Sequence, residues 1–250
     1  MDTTTILLLC SAVFIASSLQ AATGIGYGVI AGPVFLVALS GIDALQISAL
    51  HNLMIALALM PFLRMHIDKK ILFGLLLGSA FGISTGFILQ ISVSISALKV
   101  VATLMLSFVM FTLLRDLFRP RTTATDVEIK RMETFNVGAL AGLLGGMLAM
   151  PGPLAGTWMA LRGVHKQQIR ATLLAFFVFA YGANTALYSI WHGFEASTLR
   201  LAAALTPILG LGLIAGSKLS SHISEVMFRV ILLGVLMGTL VLLIADLVAA

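Results

Sequence analysis

Long apolar runs, joined by mostly short polar connections, fill the chain from end to end. The runs show no alternation of apolar and polar positions, which argues against the strands of a membrane barrel. They are as long as helices that cross a bilayer, which need about 20 apolar residues. The pattern predicts eight hydrophobic blocks, at residues 5–40, 44–63, 70–90, 96–114, 134–162, 168–190, 198–217 and 226–248.

Composition places these blocks in a membrane. Hydrophobic residues make up 60% of the 250 residues and charged residues only 10%, whereas a soluble domain carries about a quarter charged residues. Helices satisfy their own backbone polar groups in hydrocarbon, so we predict an all-α polytopic membrane protein. Its net charge of +5 comes without a basic cluster containing interleaved aromatics, so no nucleic-acid partner is expected.

A charged linker at 115–133 divides the chain into two halves, 1–114 and 134–250, each with four blocks. The halves resemble each other in collinear order, which predicts an internal repeat. At an offset of 120 residues, the first four matches pair Ala21, Gly26, Gly32 and Pro33 with Ala141, Gly146, Gly152 and Pro153.

The first block of each half is long and contains a stretch rich in glycine and proline. The stretches are TGIGYGVIAGP at 23–33 and GLLGGMLAMPGP at 142–153. Because proline removes a backbone donor and starts or kinks a helix, each stretch predicts a helix break. By contrast, the Gly-x-x-x-Gly steps at 78–86 and 212–216 contain no break and predict close helix packing.

Charge placement predicts how the broken blocks cross the membrane. If each is a hairpin that enters and leaves on one side, 13 of the 15 Lys and Arg share that side. A single crossing by the fifth block would give a split of 9 to 6, so the positive-inside tendency favours the hairpin and a cytoplasmic linker. We therefore predict two inverted repeats, each a re-entrant or broken helical hairpin followed by three transmembrane helices.

Such breaks suit an anion. Helices that stop near the midplane expose free N–H groups and positive dipole ends there. Inverted repeats with discontinuous helices that meet at a midplane site are a recurrent plan of transporters. The candidate substrate-binding residues, from both breaks and from central positions of other blocks, are Gln20, Thr23, Gly24, Gly26, Tyr27, His51, Asn52, Gly145, Gly146, Arg170, Tyr181 and Asn184.

Several of these residues have a second interpretation. The glycines could serve only close packing, and Gln20 or Thr23 could satisfy backbone groups freed by the break. His51, costly in hydrocarbon, could bind the ligand, carry a coupling proton or bond a neighbouring helix as a neutral ring. Arg170 could pair with an anion or extend to the membrane interface.

Motifs for catalysis and cofactors are missing from the sequence. It contains no H-E-x-x-H, no Gly-x-Ser-x-Gly, no Walker lysine and no acidic cluster for Mg²⁺. Cys10 is the single cysteine, which excludes an intramolecular disulfide and a cysteine metal site. We therefore expect neither an enzyme nor a bound cofactor or metal.

Four features together resemble the TauE/SafE family of sulfite exporters. They are GIGYG at 24–28 after Gln20, AGLLGGMLAMPGP at 141–153, IRAT at 169–172 and the repeated Gly-x-x-x-Gly steps. The resemblance implies a bacterial or archaeal inner-membrane protein that moves sulfite, sulfonates or other small sulfur-containing or organic anions. Many members have a third consecutive glycine where this chain has Tyr27, a departure that bears on substrate identity.

The residues and the resemblance together predict a secondary transporter of a small anion, working in the inner membrane by alternating access. Its partners would be the anion, the lipid bilayer and a coupling ion, with a proton as the candidate. A membrane enzyme acting on a lipid phosphate and a passive anion channel are the alternatives.

Overall fold

The computed structural model describes residues 2–24, 26–39, 41–118, 130–219 and 225–249. Within these ranges the chain is helical and contains no β-strand, which confirms the predicted all-α class. The helices are α1 (Thr3–Thr23), α2 (Tyr27–Ala38), α3 (Asp43–Leu63), α4 (Lys69–Ser92), α5 (Ile95–Phe118), α6 (Arg131–Leu148), α7 (Gly152–Leu161), α8 (Lys166–Trp191), α9 (Ala196–Leu219) and α10 (Glu225–Ala249), with a short 3-10 helix at Arg64–His66 after α3.

Six of the described helices are long and apolar enough to cross a bilayer: α1, α3, α4, α5, α8 and α9. The chain is therefore a multi-pass membrane protein. Each predicted hydrophobic block corresponds to one helix or to one pair of helices. Most of the predicted linker, residues 119–129, lies outside the described residues.

Both predicted helix breaks are present. The first separates α1 from α2 and contains Gly24 at φ +83° and Gly26 at φ +150°, conformations that glycine adopts readily. The second follows Ala149 at φ +55°, and Pro151 and Pro153 then begin α7. Among the described α-helices, the two short ones are α2 and α7, at 12 and 10 residues. The 21 residues of α1 span about 31 Å, longer than the short helix predicted before the break.

The helix boundaries also correct the predicted alignment of the halves. The second break lies 125 residues after the first, because α1 ends at residue 23 and α6 at residue 148. The offset of 120 residues therefore matched Gly26 with Gly146, a residue inside α6. Glycines recur often enough in these helices that a shift of five residues still aligns glycine with glycine.

The second broken block folds back on itself. Glu133, in the first turn of α6, forms a 2.6 Å ion pair with Arg162, which directly follows α7. The two ends of this hairpin therefore lie together.

Two pairs of corresponding helices, α3 with α8 and α5 with α10, run in opposite directions. Near the start of α3, Gln46 donates to the carbonyl of Gly193, which lies just beyond α8, at 2.8 Å. At the other end, Thr172 near the start of α8 accepts from the N–H of Asp68, just beyond α3, at 3.0 Å. α5 and α10 are antiparallel as well, because Lys99 near the start of α5 pairs with Asp246 near the end of α10.

The Gly-x-x-x-Gly steps hold two helix pairs at short separation. Methyl groups placed on Gly78 and Gly82 of α4 would lie 2.0 Å from backbone oxygens of α6. Gly216 of α9 approaches the backbone of α1 in the same way. These contacts confirm the predicted packing role. The first helix of each half thus packs on the fourth helix of the other half, and in both pairs the helices run parallel.

The two short helices lie inside this framework. Residues 27–36 of α2 are all buried, so α2 is surrounded by protein on every side. In α7, Gly152, Pro153, Ala155, Gly156 and Met159 are buried. Both helix breaks are consequently enclosed by the bundle, away from lipid.

Candidate functional site

The two helix breaks contact each other. A methyl group on Gly28, at the start of α2, would lie 2.9 Å from the carbonyl oxygen of Ala149 in the second break. A methyl group on Gly32 would lie 2.8 Å from Cε of Met150. Two stretches that are about 120 residues apart in the chain therefore meet in the interior of the protein.

A small cavity lies where the breaks meet. Its free space is close to the minimum that one water molecule needs. The first break, the second break and α8 all contribute to its wall, which is formed by Gln20, Gly26, Gly28, Val29, Met150, Gly152, Pro153, Phe177 and Tyr181.

Gly28 and Gly152 are the lining residues that stand at the starts of the two short helices. Within the described residues, neither the N–H of Gly28 nor that of Gly152 donates to a protein acceptor. Both belong to the first turn of a helix, whose N–H groups have no partner inside the helix. Two helix N-termini with positive dipole ends therefore border the same cavity.

Gln20 holds the first break together. Its side chain is 2% exposed, donates to the carbonyl of Gly24 at 3.2 Å and accepts from the N–H of Tyr27 at 3.0 Å. Gln20 thus satisfies backbone groups that the break leaves free, one of its two predicted roles, and it also lines the cavity. The other candidate for that role, Thr23, has a side chain outside the described part of the structure.

Tyr27 and His51 form a buried connection between helices. The hydroxyl of Tyr27 lies 2.6 Å from Nδ1 of His51, and Nε2 of His51 lies 3.0 Å from the carbonyl oxygen of Ala202 in α9. A carbonyl can only accept, so Nε2 carries a hydrogen, and in the neutral ring Nδ1 accepts from Tyr27. Both side chains are fully buried and neither lines the cavity. This geometry matches the interpretation of His51 as a neutral ring that bonds neighbouring helices.

The two asparagine candidates differ in their contacts. Asn52 donates to the carbonyl of Ser48 within α3, at 2.9 Å. Asn184 donates to the carbonyl of Gly145 near the end of α6, at 2.7 Å, and thereby ties α8 to the second break. Tyr181, one turn before Asn184, reaches the cavity wall itself.

Arg170 lies beside the first break but outside the cavity wall. Its guanidinium donates to the carbonyl of Ala21, in the last turn of α1, where a positive charge is favoured by the helix dipole. Gly24 packs on the same side chain, since a methyl group there would lie 2.6 Å from Cγ of Arg170. Arg170 is half-buried, and its Nε has no partner among the described residues.

Gly146 contacts α4 and not the cavity. A methyl group on Gly146 would lie 2.4 Å from the backbone oxygen of Ile83. Of the predicted residues, Gln20, Gly26 and Tyr181 line the cavity, and Asn184 and Gly145 support its second break. The remaining lining residues were missed: Gly28, Val29, Met150, Gly152, Pro153 and Phe177. Pro151 and Pro153 were the available signal, because they mark the true start of α7.

Comparison with known proteins gives one family. A family model described as Sulfite exporter TauE/SafE matches residues 9–243. The matched range includes both helix breaks and every residue that lines the cavity. Neither the curated proteins nor the solved structures gave a significant match.

Proposed function

Because the chain belongs to the sulfite exporter TauE/SafE family, we propose that it is a secondary transporter of sulfite, an organosulfonate or a related small anion. We place its site at the cavity between the two helix breaks and its location in the inner membrane of a bacterium or archaeon. The proposal includes transport by alternating access and no catalytic step.

The backbone amides of Gly28 and Gly152, unpaired within the described residues, are the observation that favours an anion as the substrate. They belong to two helix N-termini that border one cavity, and each can donate to an oxygen of the substrate. No carboxylate is among the lining residues, so no fixed negative charge of the wall repels an anion. An oxyanion such as sulfite offers several acceptor oxygens to donors that approach from opposite sides.

Alternating access is supported by the helix directions and by the size of the cavity. In an inverted repeat, corresponding helices run antiparallel, as α3 and α8 do and as α5 and α10 do. The packing is also symmetric, because the first helix of each half lies on the fourth helix of the other: α1 on α9 and α6 on α4. The cavity holds about one water molecule and is too small for sulfite, so the substrate can enter only after helices separate.

A proton coupled through His51 would act on the first break. If Nδ1 of His51 takes up a proton, it becomes a donor and the hydroxyl oxygen of Tyr27 becomes the acceptor of this hydrogen bond. The hydrogen of the Tyr27 hydroxyl then needs a new acceptor. Tyr27 is the first residue of α2, so this change would reach the helix end that borders the cavity. We include this coupling in the proposal as the route by which a proton gradient could drive transport.

The geometry supports neither of the two alternatives, a passive anion channel or a membrane enzyme acting on a lipid phosphate. A passive channel needs a continuous open path, whereas the free volume of the cavity is close to that of one water molecule. An enzyme acting on a lipid phosphate by metal catalysis would need grouped ligands, and within the described ranges no three His, Cys, Asp or Glu side chains are grouped.

A thermal-shift screen of the purified protein tests the proposal. Sulfite, thiosulfate, a sulfonate and a carboxylate would each be added at equal ionic strength, with chloride as the control anion. A ligand at 100 times its dissociation constant stabilises the folded state by about 2.7 kcal/mol, which corresponds to a rise in Tm of roughly 5–11 °C. Saturable counterflow of the same ligand in proteoliposomes would follow. The absence of both a shift and counterflow for every anion would remove the proposal.

A further inference from the structure

A polar stripe on α8 leads away from the cavity. Tyr181, Asn184, Tyr188 and His192 are spaced by three, four and four residues, so they lie on one face of the helix. Tyr181 lines the cavity, Asn184 and Tyr188 are fully buried, and His192 is exposed at the C-terminal end of α8. The stripe therefore connects the cavity with one end of the bundle.

Polar atoms along this stripe lack partners. Among the described residues, no hydrogen bond reaches Oδ1 of Asn184, the hydroxyl of Tyr188 or, on the adjoining helix α4, Oε1 of Gln90, and all three atoms are buried. Buried polar atoms are paired in the large majority of cases, in folded proteins generally. Three exceptions on two contacting helices mark positions where water or a ligand can bind.

The ring of Phe87, on α4, packs against two residues of the polar stripe on α8. Its ring is 2% exposed and makes edge contacts with the rings of Tyr188, at a centroid distance of 5.4 Å, and His192, at 6.0 Å. Its backbone N also approaches the second hairpin, because a methyl group on Gly146 would lie 2.7 Å from it. A movement of α4, together with the hairpin packed on it, relative to α8 would therefore displace Phe87 from the two rings.

We infer that the seam between α4 and α8 is the path by which the anion passes between the cavity and the end of the bundle at His192, with Phe87 as its gate. This inference rests on the proposed transport function and names its path on one side. Both α4 and α8 end at the end of the bundle where His192 lies. α5 starts there and runs to the other end, where the linker follows it. The path therefore opens on the side opposite the linker. Opening would admit water to the unpaired oxygens, and the Tyr188 hydroxyl could then donate to the anion.

Accessibility of a thiol in the seam tests this path. Cys10→Ser removes the single native cysteine, and Gln90→Cys then places a thiol at a buried position of α4, three residues after Phe87. The probe is a membrane-impermeant, anionic alkyl-sulfonate thiosulfonate, applied to sealed vesicles from either side. Its reaction rate is compared in three proteins that carry this thiol: the parent, the variant Phe87→Ala and the matched control Phe81→Ala. The control removes an aromatic ring elsewhere on α4 that is 69% exposed.

Loss of two ring contacts should raise the open population, and with it the reaction rate, by roughly 5- to 150-fold in Phe87→Ala. The increase should occur only with probe on the side opposite the linker, and Phe81→Ala should react like the parent. An unchanged rate in Phe87→Ala, or an equal increase in Phe81→Ala, would overturn the gate.

Folding and function are separated by two further measurements. If Phe87→Ala does not elute as a folded protein, Phe87→Leu replaces it, since leucine keeps most of the volume but lacks the ring. Faster labelling without anion counterflow in the parent would count against the proposed function alone. Normal counterflow with unchanged labelling would count against the gate alone.

Discussion

Gly28→Ala is the sharpest test of the contact between the two helix breaks. The added methyl group would lie 2.9 Å from the carbonyl oxygen of Ala149, where ordinary contact begins at 3.4 Å. It would also approach the hydroxyl of Tyr181 to 3.2 Å, inside the cavity wall. The oxygen of Ala149 belongs to a backbone held by the bond from its own N–H to Gly145, so it cannot turn away freely.

The cost of this overpacking is about 1–3 kcal/mol, typical of a methyl group added to a packed interior. Since 1.4 kcal/mol corresponds to a factor of ten, the dissociation constant for the transported anion should rise about 5- to 150-fold. Isothermal titration of the purified protein with the anion identified by thermal shift measures this constant. Counterflow in proteoliposomes shows whether transport declines in parallel.

Two glycine variants serve as controls. Gly182→Ala adds a methyl group in α8 where no heavy atom lies within 4 Å, and alanine is favoured over glycine in helices by about 1 kcal/mol. It should leave binding unchanged and stability equal or higher. Gly146→Ala, 2.4 Å from the Ile83 oxygen, should instead lower Tm because it separates α4 from α6. If Gly28→Ala binds the anion as tightly as Gly182→Ala does, the contact between the breaks is not part of the site.

Two further predictions concern the buried histidine and the topology. His51→Ala removes hydrogen bonds to two other helices and leaves two buried groups unpaired. It should lower the free energy of unfolding by about 2–6 kcal/mol, as measured by chemical unfolding. It should also weaken anion binding, as measured by titration. Lys69→Ala, at the exposed start of α4, should change neither, and equal effects would show that the buried bonds are unimportant. With Cys10→Ser as background, His66→Cys and His165→Cys should react with an impermeant thiol reagent from the same side of the membrane; reaction from opposite sides would contradict the hairpin topology.

Features that depend on local sequence were predicted well. The block predicted at 70–90 is α4 at Lys69–Ser92, because a membrane helix must be apolar over the full width of the hydrocarbon. Gly78 and Gly82 were assigned to packing, and their backbone does lie against α6. The existence of both breaks followed from glycine and proline, whose backbone restrictions act without any partner.

Features that depend on alignment between the halves were predicted less well. The second break was predicted within residues 142–153, and the chain does break there, between Leu148 and Gly152. The residues chosen from that stretch for the site were Gly145 and Gly146, which lie inside α6. Nothing local distinguishes a glycine that packs against α4 from one that borders the cavity. Pro151 was the better marker because its missing N–H is tolerated only near a helix start.

Hydrophobicity and backbone restriction are properties of single segments, so the amino-acid sequence is enough to show that this chain is a bundle of membrane helices that is broken twice. Which groups meet depends on how the helices pack: Gly28 with Ala149, Tyr27 with His51 and Asn184 with Gly145. In a membrane helix, side chains that face lipid and side chains that face protein are both apolar, so the pattern does not fix the rotation of a helix about its axis. Only packing of whole helices fixes that rotation, and with it the composition of the cavity.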